Sequence, residues 1–211
     1  RCIIPYINEG LRMLSEGIEP ALIENSAKHI GMPVGPLQLL DELSVSLALN
    51  VAKETKEALG TKYEETGTES ILLEMAQKNR LGRKELAGFY EYDEKGRRLK
   101  LWEGLRSLNI EKKSDDILTE TVKNRLAYVQ ALEAARALEE NSLLSVEEGD
   151  VGGILGWGCL IWAGGPFSWL DHIGHENVVV ECQKLSDQYG TRFTPPKIIK
   201  ELANSGRKFY N

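Results

Sequence analysis

Apolar positions along most of this chain recur at helical spacing. Ile4, Ile7, Leu11 and Leu14 stand at i, i+3, i+7 and i+10, which places them on one stripe of a helix. Tyr128, Ala131, Ala135 and Leu138 draw a matching stripe 124 positions later. The next helix opens at Pro20, where the first turn tolerates a residue without N–H, and stops at Gly31. Its counterpart opens at Ser145, with Glu148 three positions on in a capping-box pattern. "LALNVAKETKEALG" and "VVVECQKLSDQYG" each run at helical spacing to a glycine, and the last apolar groups fall at Leu72 to Met75 and Ile198 to Leu202. "VVVEC" has strand-like β-branched content, but its counterpart carries Ala, Leu, Lys and Glu, so both segments are assigned to helix. The expected fold class is all-α.

The repetition extends beyond the stripes. Gly35 and Gly165, Pro36 and Pro166, Leu40 and Leu170, Asp41 and Asp171 all stand 130 apart, as do "GTKY" at Gly60 and "GTRF" at Gly190. Upstream the offset is 124, pairing Arg1 with Arg125, Glu9 with Glu133, Leu14 with Leu138 and Glu16 with Glu140; downstream it is 120, where "GFY" at Gly88 meets "KFY" at Lys208. Offsets that change in steps between matching blocks are the trace of loop insertions in two copies of one unit. The expected organisation is a first helical copy over 1–90, a linker over 91–119 and a second copy over 120–211. "EYDEKGRRLK" reads as a charged, turn-forming part of that linker.

Composition narrows the class. With 42% hydrophobic and 27% charged residues the chain is neither disordered nor membranous, and no apolar run approaches the roughly 20 residues of a membrane span. A formal charge of -6 opposes a broad nucleic-acid surface, and the short basic run Arg97, Arg98, Lys100 reads as a solvated loop. Cys2, Cys159 and Cys182 are odd in number and lack a CxxC, which suits a reducing compartment; the expected location is cytoplasmic. The chain opens on "RCIIPYINEG" without an initiator Met or targeting segment, and is expected to be a piece of a longer protein.

Candidate chemistry is sparse. "GGILGWG" at Gly152 to Gly158 has the glycines of a phosphate loop in G-x-x-G-x-G order with no strand before it, so a flexible helix-to-loop junction is the better reading. His172 and His175 are three apart and could share a metal with Asp171 or Glu176, against a surface or capping role that needs no further ligand. Nothing forms a nucleophile elbow for a hydrolytic triad. Glu139 with Glu140, and Glu147 with Glu148, are adjacent in sequence, diverge on a helix and read as solvated faces. Trp157, Trp162 and Trp169 read as core rather than a ligand cage. No catalytic or metal-binding residue is assigned.

The stretches "EGIEPALIENSAKHIGMPVGPLQLLDE", "AGGPFSWLDHIG", "GRKELAGFYEYDEKG" and "YGTRFTPPKIIKELANSGRKFY" resemble the C-terminal helical part of 3-hydroxyacyl-CoA dehydrogenases, over essentially the whole chain. The two-copy form looks like that of the multifunctional fatty-acid β-oxidation α subunit. The resemblance implies a parent oxidoreductase of lipid metabolism that oxidises 3-hydroxyacyl-CoA to 3-oxoacyl-CoA with NAD. It implies that the nucleotide and a His–Glu pair lie on a preceding Rossmann domain, so this chain alone is expected to be inactive and to bind no cofactor. The family's substrate-orienting Asn stands before the Arg matched by Arg1; its echo, Asn124 before Arg125, is given no catalytic role because the second copy lacks a dehydrogenase site in the family. Met32, Pro33, Val34, Gly35, Pro36 and Leu37 match the acyl-pocket wall, with simple packing against a neighbouring helix as the open alternative; as a wall, Met32 and Leu37 are expected to be exposed here. Implied partners are the Rossmann domain, the acyl-CoA substrate and, in the multifunctional form, a hydratase domain and a thiolase subunit. The two copies are expected to pack about an approximate twofold axis and leave the chain monomeric. Leu43, Ser44, Val45 and Ser46 depart from the family's Gly-apolar-Asp run after Asp41, and Leu160 and Ile161 from its Pro-Pro, which puts full activity of the parent in doubt. The rival class is a stand-alone helical interaction module without an enzymatic parent.

Overall fold

The computed structural model describes residues 1–62, 67–108 and 119–210. Its helices are α1 (Ile3–Ser15), α2 (Pro20–His29), α3 (Pro36–Leu43), α4 (Val45–Leu59), α5 (Glu69–Gln77), α6 (Thr119–Glu139), α7 (Val146–Trp157), α8 (Pro166–Ile173), α9 (His175–Tyr189) and α10 (Lys197–Ser205). The all-α class holds, with "VVVEC" inside α9. Two compact units form. The amino unit comprises Ile7–Ser26 and Val34–Val122; the carboxy unit comprises Arg1–Tyr6, Ala27–Pro33 and Lys123–Asn211.

In the amino unit the core gathers Leu11, Leu14, Ile23, Leu37, Leu40, Ile71, Met75 and Phe89, all at most 1% exposed. The helical stripe of α1 is buried at Ile7, Leu11 and Leu14, but Ile4 is 46% exposed and leaves it. Pro36 starts α3 at its first turn, and α4 is capped by Ser44, whose hydroxyl accepts the Leu47 N–H at 3.2 Å. "EYDEKGRRLK" corrects the loop expected there: it is a β-hairpin, β1 (Tyr90–Tyr92) antiparallel to β2 (Arg98–Leu101), with Tyr90 opposite Leu101 and Tyr92 opposite Arg98. Asp93 organises the turn by accepting the N–H groups of Lys95 and Arg97, while Gly96 takes the positive φ of 71° that closes it. After the hairpin, Leu105 and Leu108 are buried. Tyr63 and residues 109–118 of the expected linker lie outside the described residues.

In the carboxy unit α6 buries Leu126, Tyr128, Val129, Ala131, Leu132 and Ala135. Its apolar face meets Trp169 of α8, edge-to-face on Tyr128 with centroids 4.9 Å apart. Ser145 caps α7 through the Glu148 N–H, and Gly158 ends it in a left-handed conformation. Phe167, Leu170, Val178, Cys182, Phe193 and Ile199 complete this core at 0% exposure.

Candidate functional site

The stretch singled out by sequence divides between the units. Gly31, at φ 86°, turns the chain out of α2, and the Met32 N–H returns to the Ala27 carbonyl at 3.0 Å. Met32 is 3% exposed and its Sδ takes a 3.7 Å contact from the Gln130 amide nitrogen; Leu37 is 0% exposed. The exposure expected of these two side chains is therefore wrong: they are core residues, since a bend rich in glycine and proline can pack as tightly as a helix when no Cβ intervenes. Pro33 is exposed and Val34 half-buried, while Gly35 and Pro36 are buried. Gly35 permits the bend because a Cβ there would overlap the Glu24 carboxylate, and one at Gly10 would stand 2.5 Å from Pro36.

Buried carboxylates hold this bend and its counterpart. In the amino unit, Glu24 of α2 accepts the Leu37 N–H at the start of α3 at 2.8 Å and the Tyr90 hydroxyl at 2.7 Å. Asp41 of α3 accepts the Phe89 and Tyr90 N–H groups at 2.7 and 2.9 Å and the Tyr92 hydroxyl at 2.9 Å. In the carboxy unit, Asp150 of α7 accepts the Phe167 N–H at the start of α8 at 2.7 Å, the Ser168 N–H and hydroxyl, and the Tyr210 hydroxyl at 2.9 Å. Asp171 of α8 accepts the Phe209 and Tyr210 N–H groups, both at 2.9 Å, and lies 2.8 Å from His175 Nε2. The same wiring thus recurs, with the His175 imidazole standing where the amino unit uses Tyr92. A carboxylate at a helix start is favoured by the unpaired N–H groups and the dipole there.

These acids bind structure rather than substrate. Burial pushes Asp41 up to about 6, against the lowering effect of the Phe89 and Tyr90 N–H groups, the Tyr92 hydroxyl and Arg80. A carboxyl near neutrality is the kind of group that catalysis uses, but Asp41 is 1% exposed and every donor beside it is committed. Tyr90 and Tyr92 are raised as well, chiefly by burial and then by Glu24 and Asp41 respectively. Arg80 completes the amino unit's network: it donates to the Gly88 and Tyr90 carbonyls, pairs with Glu91 at 3.1 Å and lies over the Trp102 ring.

The other candidates resolve individually. His175 is 5% exposed and bound to Asp171, so the surface or capping role expected for it is corrected; His172 is exposed, and no cluster of three metal-ligating side chains occurs among the described residues. Gly152 to Trp157 lie within α7, and the two described strands form a hairpin, so these residues do not fit a dinucleotide's pyrophosphate. Burial pushes the Cys159 and Cys182 thiols up to about 12, which makes them poor nucleophiles. Trp169 is core, Trp157 is half-buried with its N–H on Gln130, and Trp162 corrects the core reading at 62% exposed, its N–H held by the Ile30 carbonyl at 2.9 Å. Arg97 pairs with Asp93, Lys100 with Glu103, and Arg98 lies over Tyr90. Glu139, Glu140, Glu147 and Glu148 are exposed, as expected, and Glu140 also pairs with Arg1. Ser44 has a φ of 85°, matching 86° at Gly174, and Leu160 is buried in a left-handed conformation beside the 52% exposed Ile161. Sequence reasoning missed Glu24, Arg80, Tyr92 and Asp150; a carboxylate 11 positions before Gly35 and 15 before Gly165 was the available signal.

Residues 1–92 match the family profile of the 3-hydroxyacyl-CoA dehydrogenase C-terminal domain. Among solved structures, the chain is similar to 3-hydroxybutyryl-CoA dehydrogenase from Escherichia coli K12 substr. MG1655, with a TM-score of 0.69 and 19% identity over 98% of this chain and 59% of that one. It is also similar to the dehydrogenase part of multifunctional enzyme 1 from C. elegans, with a TM-score of 0.66 and 23% identity over 95% of this chain and 46% of that one. These likenesses show a shared fold, and the chain spans about half the length of the structures it matches.

Proposed function

We propose, from the premise that residues 1–92 belong to the 3-hydroxyacyl-CoA dehydrogenase C-terminal domain family, that the chain is the helical C-terminal part of a longer NAD-dependent 3-hydroxyacyl-CoA dehydrogenase of fatty-acid β-oxidation. The family match over residues 1–92 carries this reading. The reaction takes a hydride from C3 of the acyl-CoA and a proton from its hydroxyl, and NAD supplies the hydride acceptor. No residue of this chain is assigned either role, and both belong to a preceding Rossmann domain. This chain contributes an acyl-pocket wall. Its accessible part is Pro33 and Val34, held in place by the buried Met32, Gly35, Pro36 and Leu37.

The recurrent carboxylate wiring supports reading the carboxy unit as a second copy of the same domain, retained for packing. The fold shared with part of a multifunctional enzyme is consistent with a hydratase domain and a thiolase subunit as further partners. The test compares the 211-residue chain with the longer protein for NADH formation from 3-hydroxybutyryl-CoA and longer 3-hydroxyacyl-CoA substrates. Turnover is expected only from the longer protein, with Pro33→Asp or Val34→Asp raising its KM. Upstream sequence without a GxGxxG βαβ unit would refute the dehydrogenase reading, and an unchanged KM in both variants would refute the wall.

A further inference from the structure

Helices α4 and α9 begin with the same backbone turn, but their first N–H groups are served differently. Ser44 before α4 and Gly174 before α9 stand 130 positions apart and share a positive φ, 85° and 86°. In the amino unit the helix start is satisfied from within: the Ser44 hydroxyl accepts the Leu47 N–H at 3.2 Å, and the Leu81 carbonyl accepts the Val45 N–H at 2.9 Å. Gly174 brings no side chain to α9. Among the described residues the N–H groups of His175, Glu176 and Asn177 meet no acceptor, at the positive end of a 15-residue helix.

The charges change in the same direction. Gly82-Arg83-Lys84 of the amino unit recurs as Gly206-Arg207-Lys208. Arg83 is neutralised by Glu42, whose two carboxylate oxygens lie 3.1 and 3.0 Å from its Nη1. The residue 130 positions after Glu42 is His172, and among the described residues neither Arg207 nor Lys208 pairs with a carboxylate; Arg207 Nε donates to the Ser205 hydroxyl at 3.1 Å. Both cations line a recess of about 200 Å³ together with Gly174, His175, Glu176 and Asn177, so Glu176 is the one acid there against two bases and three open N–H groups. The His175 side chain is 3% exposed. Its Nε2 lies 2.8 Å from the Asp171 carboxylate, which only accepts, so Nε2 carries a hydrogen; Nδ1 is buried without a partner.

We propose that the start of α9 is a binding site for a phosphate group, free or as a phosphomonoester. The unprotonated oxygens accept the α9 N–H groups and the Arg207 and Lys208 donors. The remaining proton lies between a phosphate oxygen and His175 Nδ1, carried by the phosphate or by the ring. This site stands independently of the dehydrogenase reading. The recess holds the phosphate group alone. The body of a larger ligand extends past Lys208, which also lines a neighbouring recess of about 620 Å³ bordered by the exposed Trp162 indole, a face on which an aromatic base stacks.

Inorganic phosphate added to the 211-residue chain tests it, followed by thermal unfolding and by the imidazole nitrogen signals of the three histidines. With a Kd of about 1 mM, phosphate at about 10 mM should raise Tm by about 2–4 °C. The His175 Nδ1 signal should move with it, and sodium chloride at equal ionic strength should do neither. Gly174→Ser and His172→Glu give α9 the hydroxyl and the acid that serve α4, and each should weaken phosphate binding about tenfold or more. Adenosine monophosphate that binds about tenfold tighter than inorganic phosphate and quenches indole fluorescence identifies a nucleotide as the source, and one that binds no tighter identifies the free ion. Chloride that reproduces the phosphate effect, a His175 Nδ1 signal that stays in place, or undiminished binding in both variants overturns the proposal. The wild-type titration decides alone if the variants fail to fold.

Discussion

Replacing Asp41 by Asn changes one atom and tests the wiring of the amino unit. The carboxylate accepts three donors at 2.7–2.9 Å and is 1% exposed. An amide keeps one carbonyl oxygen, and its NH₂ then faces a backbone N–H, so one buried donor is left without an acceptor, at a cost of about 1–3 kcal/mol. Burial already disfavours the charged form, so loss of the charge adds nothing to this cost, and the expected total stays at about 1–3 kcal/mol at pH 7.5. The pH dependence follows from burial, which raises Asp41 from 3.8 to about 6. The folded chain then binds this proton more tightly than the unfolded chain, so the group's contribution is least favourable above pH 6. It improves as pH falls from 6 and is complete below 3.8. Between pH 7.5 and 4.5 the wild type should gain about 2 kcal/mol from this group, relative to Asp41→Asn. Urea unfolding of both proteins at the two pH values gives the difference, and hydrogen exchange at the Phe89 and Tyr90 amides locates it. A variant within about 0.5 kcal/mol of wild type would refute the clamp, and a difference that does not widen on acidification would refute the protonation argument.

Gly88→Ala should destabilise the amino unit by at least about 2 kcal/mol, because its methyl group would overlap the Asp41 carboxylate; an unchanged urea midpoint would count against that packing. Ser44→Gly should stabilise by about 0.5–1 kcal/mol, since relief of the positive φ outweighs the few tenths lost with the cap to Leu47; a lower Tm would contradict it. Truncation after Lys208 removes both amide donors to Asp171, the Tyr210 hydroxyl on Asp150, and the Phe209 ring against Phe167 and His175. It should lower the carboxy unit's stability by about 3 kcal/mol or more, seen as a separate early unfolding transition, and a single transition at the wild-type midpoint would exclude it.

Much of this was legible in the sequence. The stripe at Ile7, Leu11 and Leu14, the glycine stops and the 130-residue offset each express a local rule, and the helices fall where those rules put them. The hairpin escaped notice because Arg98–Leu101 presents three exposed residues and little strand propensity; long-range bonds from Arg80 to Gly88 and Tyr90, and from the Trp102 N–H to Phe89, hold it instead. Glu24 and Asp150 were hidden because they are not the same residue type and stand 126 apart, an offset between those of the matched blocks. Met32 and Leu37 were expected at the surface because they match the acyl-pocket wall of the resembled family, which would face a preceding domain. Beside Leu37, Gly10 closely approaches Pro36 and Gly35 the Glu24 carboxylate, and Met32 meets the Gln130 amide, contacts of the assembled backbone that no local pattern encodes.

The interleaved make-up of the units has a consequence for synthesis. Arg1–Tyr6 and Ala27–Pro33 emerge from the ribosome before the amino unit is complete, yet they belong with Lys123–Asn211, which emerge after it. At about 5–20 residues per second, those early segments wait roughly 5–20 s after Val122 is made before Phe209 and Tyr210 can close onto Asp171 and Asp150. Throughout that interval Cys2, Tyr6 and Met32, all buried in the finished protein, remain without the chain they belong with. The amino unit can settle during translation, whereas the carboxy unit must recover its opening residues afterwards. Slow elongation anywhere between Pro33 and Tyr210 therefore prolongs exposure of these early segments to chaperones and aggregation.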